Sequence, residues 1–148
     1  MNQPRYPLKA GEKLTTYEFL SEGPKGKIVK LIQFTKTNDQ DVYNLAFGDQ
    51  DGKTGKIDDM VISNNDDSEM VLATVVSAVY AFTDVVPEAW IYATGSTKAR
   101  TRLYRMGISK YMEEVENDFE IFGQEGNAWE NFLKDKEYDA FLIRRKIS

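Results

Sequence analysis

Neither cysteine nor histidine occurs in the 148 residues of this chain. Their absence excludes a disulfide framework, zinc-ligand spacing, a thiol nucleophile and any histidine-based triad, and with them most familiar hydrolase chemistry. No apolar run approaches the ~20 residues needed to span a bilayer, and Met1–Leu14 has basic residues but no apolar segment of the kind a secretory signal requires. Internal repeats, low-complexity tracts and Pro- or Ser-rich linkers are also missing. A soluble, cytoplasmic protein is expected, with a single domain over residues 1–148 and without membrane contact, cofactor or metal. Its ragged parts are expected at residues 1–13, in the Gly- and Asp-rich segment Asp49–Asp59 and around Gly123–Asn127.

What is present suffices for a core: 41% of the residues are hydrophobic, and 18 are aromatic. The first half reads as strands. Thr15–Ser21 and Lys27–Thr37 alternate around the turn Gly23-Pro24-Lys25-Gly26, Val42–Gly48 adds a third strand, and Met60–Ile62 is a short edge piece. From Asp66 the period becomes helical, with Val71, Val75, Ala78, Phe82 and Val85 in one stripe, Asn64–Asp67 as cap and Pro87 as stop. Ala89–Thr94 is strand-like, and a helix follows from about Lys98 to Asn117. Phe119–Phe122 and Tyr138–Lys146 are strands. The expected class is α+β, a mostly antiparallel sheet of about five to six strands packed by two helices in the order β-β-β-α-β-α-β-β.

Charge is distributed unevenly. The chain has 19 Lys and Arg against 24 Asp and Glu, a net −5 that argues against a surface basic all over, as in many nucleic-acid binders. Yet Ala89–Met112 contains no acidic residue and carries Lys98, Arg100, Arg102, Arg105 and Lys110; this window is +5, leaving −10 elsewhere. It runs from a strand through Gly95, Ser96 and Thr97 into a helix. Free N–H groups at such a helix start, two hydroxyls and nearby cations suit a phosphate. Helical projection puts Lys98, Arg102 and Arg105 on one face with Ser109, whereas Tyr104, Ile108, Tyr111, Met112 and Val115 form an apolar face away from it. Arg100 lies at the margin of the apolar face, where a guanidinium needs a partner. Ala99, Leu103 and Met106 form another stripe, as a helix break at Gly107 would produce. The competing reading is an ordinary turn and N-cap, with cations paired to carboxylates elsewhere and Arg100 in a buried ion pair.

Other motifs fail. Gly48–Thr54 is one residue short of a phosphate loop and precedes no helical pattern. Asp49, Asp51 and Gly52 match part of a calcium loop, but Phe47 stands at the first ligand position and the closing Glu is missing. The acid pairs Asp58-Asp59, Asp66-Asp67 and Glu113-Glu114 diverge on regular elements and read as caps or solvated faces. Trp90, Tyr92, Tyr104, Tyr111, Trp129 and Tyr138 read as core before they read as a stacking surface.

The run Gly95-Ser96-Thr97-Lys98-Ala99-Arg100-Thr101-Arg102-Leu103-Tyr104-Arg105 resembles a family of small uncharacterised bacterial proteins sharing a Gly-Ser-Thr-x-Ala-Arg-Thr-Arg-Leu-Tyr signature. The likeness continues in Phe119–Gly123, Trp129-Glu130-x-Phe132 and Tyr138–Ile143, and in Tyr17-Glu18-Phe19 of the first half. The resemblance implies no activity. It implies that the basic strand-loop-helix is a family feature, which raises Ser96, Thr97, Arg100, Arg102, Tyr104 and Arg105 as site residues beside Lys98. Three functions compete on these residues. The first is a non-enzymatic binding module for a phosphate-bearing small molecule or a nucleic-acid backbone through Gly95–Arg105. The second is an RNA- or nucleotide-acting enzyme of a toxin or defence system that uses Arg, Tyr and Lys. The third is an interaction domain that docks an acidic protein.

Overall fold

The computed structural model describes residues 4–11, 15–58, 63–95 and 97–146. Its strands are β1 (Lys9–Ala10), β2 (Thr16–Gly23), β3 (Gly26–Lys36), β4 (Val42–Gln50), β5 (Ile57–Asp58), β6 (Trp90–Ala93), β7 (Phe119–Glu125), β8 (Ala128–Asn131) and β9 (Ala140–Arg145); its helices are α1 (Ser68–Val85), α2 (Lys98–Lys110) and α3 (Met112–Asp118). All nine strands join one sheet in the order β1-β2-β3-β4-β6-β9-β7-β8, with β5 added on β4. Only the β4–β6 pairing among them is parallel, because α1 carries the chain between those two strands as a crossover.

The expected class therefore stands, and the expected counts are corrected to nine strands and three helices among the described residues. The additional strands β1, β5 and β8 are two to four residues long, too short for a period of two to show in sequence. Both β1 and β5 lie in segments expected to be ragged. The Met60–Ile62 edge falls outside the described residues. The helix expected over Lys98–Asn117 divides at Tyr111 (φ −104°, ψ 16°) rather than at Gly107. Gly107 stays helical and lies against Leu72 of α1, and the Tyr111 hydroxyl donates to the Glu69 carbonyl at 3.2 Å.

Alternation in the strands sends Tyr17, Phe19, Ile32, Phe34, Leu45, Phe47, Ile91, Phe141 and Ile143 to the helix-covered face, where they form one core with α1. Phe34 and Phe82 stack with ring centroids 4.3 Å apart. Among described helices α1 alone is long and apolar enough to cross a bilayer by length and composition, and half of it is buried in the fold. Its N-terminus is held by tertiary contacts. Asp67, at the N-cap, makes no side-chain capping bond; its carboxylate accepts from the hydroxyls of Tyr6 (2.6 Å) and Ser21 (2.5 Å). Buried Asn65 accepts from Lys25 N at 2.7 Å and donates to Gly26 O at 2.9 Å, so the β2–β3 turn is clamped to the start of α1.

Candidate functional site

Pairing of β6 with β9 and of β9 with β7 brings the C-terminal end of β6, the start of α2, the end of β7 and the residues before β9 to one edge of the molecule. The loop after β6 is pinned there. The Thr94 hydroxyl donates to the Asp139 carbonyl at 2.8 Å, and Gly95 N–H donates to Thr101 Oγ1 at 2.9 Å. A Cβ at Gly95 would lie 2.5 Å from Thr101 N and 2.6 Å from Arg100 Cβ, so only glycine lets the loop close onto the first turn of α2. Thr97 is the N-cap, its hydroxyl oxygen accepting from Arg100 N at 3.2 Å. The loop chemistry thus serves capping as well as any guest. Ser96 lies outside the described residues.

A cleft of about 580 Å³ opens at this edge. Thr97, Lys98, Thr101, Arg102 and Arg105 form one wall, and Glu125, Glu137 and Asp139 stand on the other side with Tyr138. Lys98 and Arg102 are exposed and Arg105 is half-buried. Among the described residues none of these three cations is within 4.0 Å of a carboxylate oxygen. The structure therefore brings together four of the sequence-selected residues: Thr97, Lys98, Arg102 and Arg105.

Arg100 and Tyr104 are elsewhere. Arg100 is 2% exposed, and its Nη1 donates to the Phe47 carbonyl of β4. Tyr104 is buried and lines a small apolar cavity with Leu72, Leu103 and Ile143, and burial pushes its phenol up to about 12, the Arg100 charge opposing the rise. Both face the core because α2 turns that side toward the sheet, as the projection of Tyr104, Ile108, Tyr111 and Val115 onto one face anticipates. Of the other aromatics, Tyr111 and Tyr138 are buried, whereas Trp90 and Tyr92 are half-buried on the opposite sheet face and Trp129 is 41% exposed.

Sequence reasoning missed the second wall. Tyr138 is set under β7: a Cβ at Gly123 would fall 2.5 Å from its ring. Its hydroxyl donates to Glu130 Oε2 at 2.8 Å and accepts from Leu133 N at 3.1 Å. Lys136 Nζ lies 2.9 Å from Glu130 Oε1 and 3.4 Å from Glu125 Oε1. Hydrogen bonds from Lys136 and then Tyr138 hold the Glu130 carboxyl below its ordinary value, while burial first and the Glu130 bond second push the Tyr138 phenol up. The Asp139 carboxylate accepts from Gly126 N at 3.1 Å. Tyr138 and Asp139 carried a signal in the resemblance. Glu125 and Glu137 carried none, because their neighbours are decided by sheet order.

The fold and cleft define a small α+β protein with helices on one face of a single mixed sheet and charges of both signs across one edge cleft. Among the described residues no group of three or more Asp or Glu could hold a metal ion. The chain belongs to the family of unknown function DUF6934, whose family model matches residues 2–146. No curated protein and no solved structure matches it.

Proposed function

We propose that the protein is a non-enzymatic binding module that holds a phosphate-bearing ligand in the cleft beside α2, with Lys98, Arg102 and Arg105 as anion contacts and Thr97 at the helix start. One observation carries this reading: three cations share one cleft wall and pair with no carboxylate among the described residues. Cations in an acidic protein ordinarily find such partners. Charge-assisted bonds from guanidinium to phosphate are short, often bidentate and roughly twice as strong as neutral ones. Arg100 and Tyr104 belong to the site as supports, since Arg100 bonds the Phe47 carbonyl of β4 and Tyr104 is buried in the core.

Binding is favoured over catalysis by the condition of the phenols. A general acid or base works best with a pKa near the working pH, and burial moves Tyr104 and Tyr138 upward, away from it. A single soluble domain in the bacterial cytoplasm suits the resemblance and a phosphorylated ligand. The test is calorimetric titration with inorganic pyrophosphate at low and moderate salt. Affinity should fall as salt rises, and Arg102→Ala with Arg105→Ala should remove it without lowering thermal stability. No heat of binding at low salt, or equal affinity in the double variant, refutes the reading.

A further inference from the structure

The acidic wall narrows the ligand class, on the condition that the phosphate-binding reading holds. Glu137 and Asp139 line the same cleft as Lys98, Arg102 and Arg105, yet no ion pair crosses it within 4.0 Å among the described residues. The cleft lining therefore carries charges of both signs that do not pair with each other. Glu125 is engaged by Lys136 at 3.4 Å, and one Asp139 oxygen by the Gly126 N–H. Among the described residues no hydrogen bond or ion pair engages the Glu137 carboxylate or the other Asp139 oxygen, and a carboxylate only accepts. A guest that satisfies both walls presents an anion to one and hydrogen-bond donors, such as hydroxyls, to the other.

The geometry points to a phosphate monoester of a polyhydroxyl compound, the chemistry shared by sugar phosphates and nucleoside monophosphates: its phosphate against Lys98, Arg102 and Arg105, and its hydroxyls donating to Glu137 and Asp139. The cleft volume of about 580 Å³ lies within the range of small-molecule sites, roughly 300–1,000 Å³. A nucleic-acid strand fits worse. Its neighbouring phosphates lie closer together than the ~8 Å over which charges act in physiological salt, so a strand bound at the cations brings further negative charge to a cleft that Glu137 and Asp139 also line.

The experiment compares calorimetric affinities for inorganic phosphate, ribose 5-phosphate, a nucleoside 5′-monophosphate and a short single-stranded RNA lacking terminal phosphates. Ribose 5-phosphate should bind at least about tenfold more tightly than inorganic phosphate, a factor that one hydrogen bond to a charged acceptor can supply. Glu137→Gln with Asp139→Asn should bring that ratio toward one, circular dichroism confirming the fold. An added gain for the nucleotide assigns the ester to a nucleotide; equality assigns it to the sugar phosphate, and both outcomes sustain the inference. Phosphate and ribose 5-phosphate binding equally overturns this inference and leaves phosphate binding standing. RNA binding most tightly, with an affinity the acidic-wall variant leaves unchanged or improves, also overturns it. Absence of binding by every anion overturns the underlying reading as well.

Discussion

Replacing Arg100 by alanine separates scaffold from site. The residue is 2% exposed and its guanidinium donates from Nη1 to a backbone carbonyl of β4, so it ties the first turn of α2 to the middle of the sheet. Losing a hydrogen bond from a charged donor costs ~1.5–3 kcal/mol, and removing the buried methylene stem costs ~2 kcal/mol more. Relief from burying a guanidinium offsets part of this, leaving a net loss of ~2–4 kcal/mol. For a domain of this size, such a loss lowers Tm by ~5–15 °C. Arg100→Lys should fall between, because an ammonium keeps the charge without the fork. Arg102→Ala, on an exposed face, should stay within ~0.5 kcal/mol of the parent. Urea and thermal unfolding of the three variants, followed by circular dichroism, supply the numbers. An Arg100→Ala protein as stable as the parent but unable to bind pyrophosphate would show that Arg100 is a ligand contact and that its interior role is misassigned.

Two further predictions concern the fold. Lys30 is buried with its Nζ 2.6 Å from Asp49 Oδ1 and 3.2 Å from Ser63 O; Lys30→Met strands the carboxylate and should cost ~3–5 kcal/mol in urea unfolding, while Lys30→Met with Asp49→Leu should recover much of that loss. Equal instability in single and double variants would contradict the pairing. Stability should also fall as pH rises from about 10 toward 12: the unfolded phenols release their protons first, while Tyr104, held up to about 12, keeps its proton in the fold. Tyr80, raised by burial and its bond to Asp118, acts in the same direction. A urea midpoint that does not move over this range, or that moves equally in Tyr104→Phe, would count against burial as the cause.

The long elements were legible because their signals are local. The helical stripe of Val71, Val75, Ala78 and Phe82 packs as its spacing implies, and the β2–β3 hairpin turns at Gly23–Gly26. Short strands were not legible, since two residues at Lys9–Ala10 or Ile57–Asp58 pair only because a neighbouring strand offers its edge. The basic wall could be read from residues three and four apart on one helix. Its acidic counterpart could not, because Glu137 and Asp139 meet α2 only through the β6–β9 pairing, about forty residues removed in sequence. Arg100 stood out in sequence as the cation nearest the apolar face, and the direction in which it points depended on where α2 docks.

The most direct measurement of the cleft's role is an amide chemical-shift map recorded during titration with inorganic phosphate at low salt. Shifts confined to Gly95–Arg105 and Glu137–Asp139, and lost in the Arg102→Ala, Arg105→Ala variant, are the predicted result. Unmoved amides, or shifts centred on the opposite sheet face around Trp90 and Trp129, would contradict it.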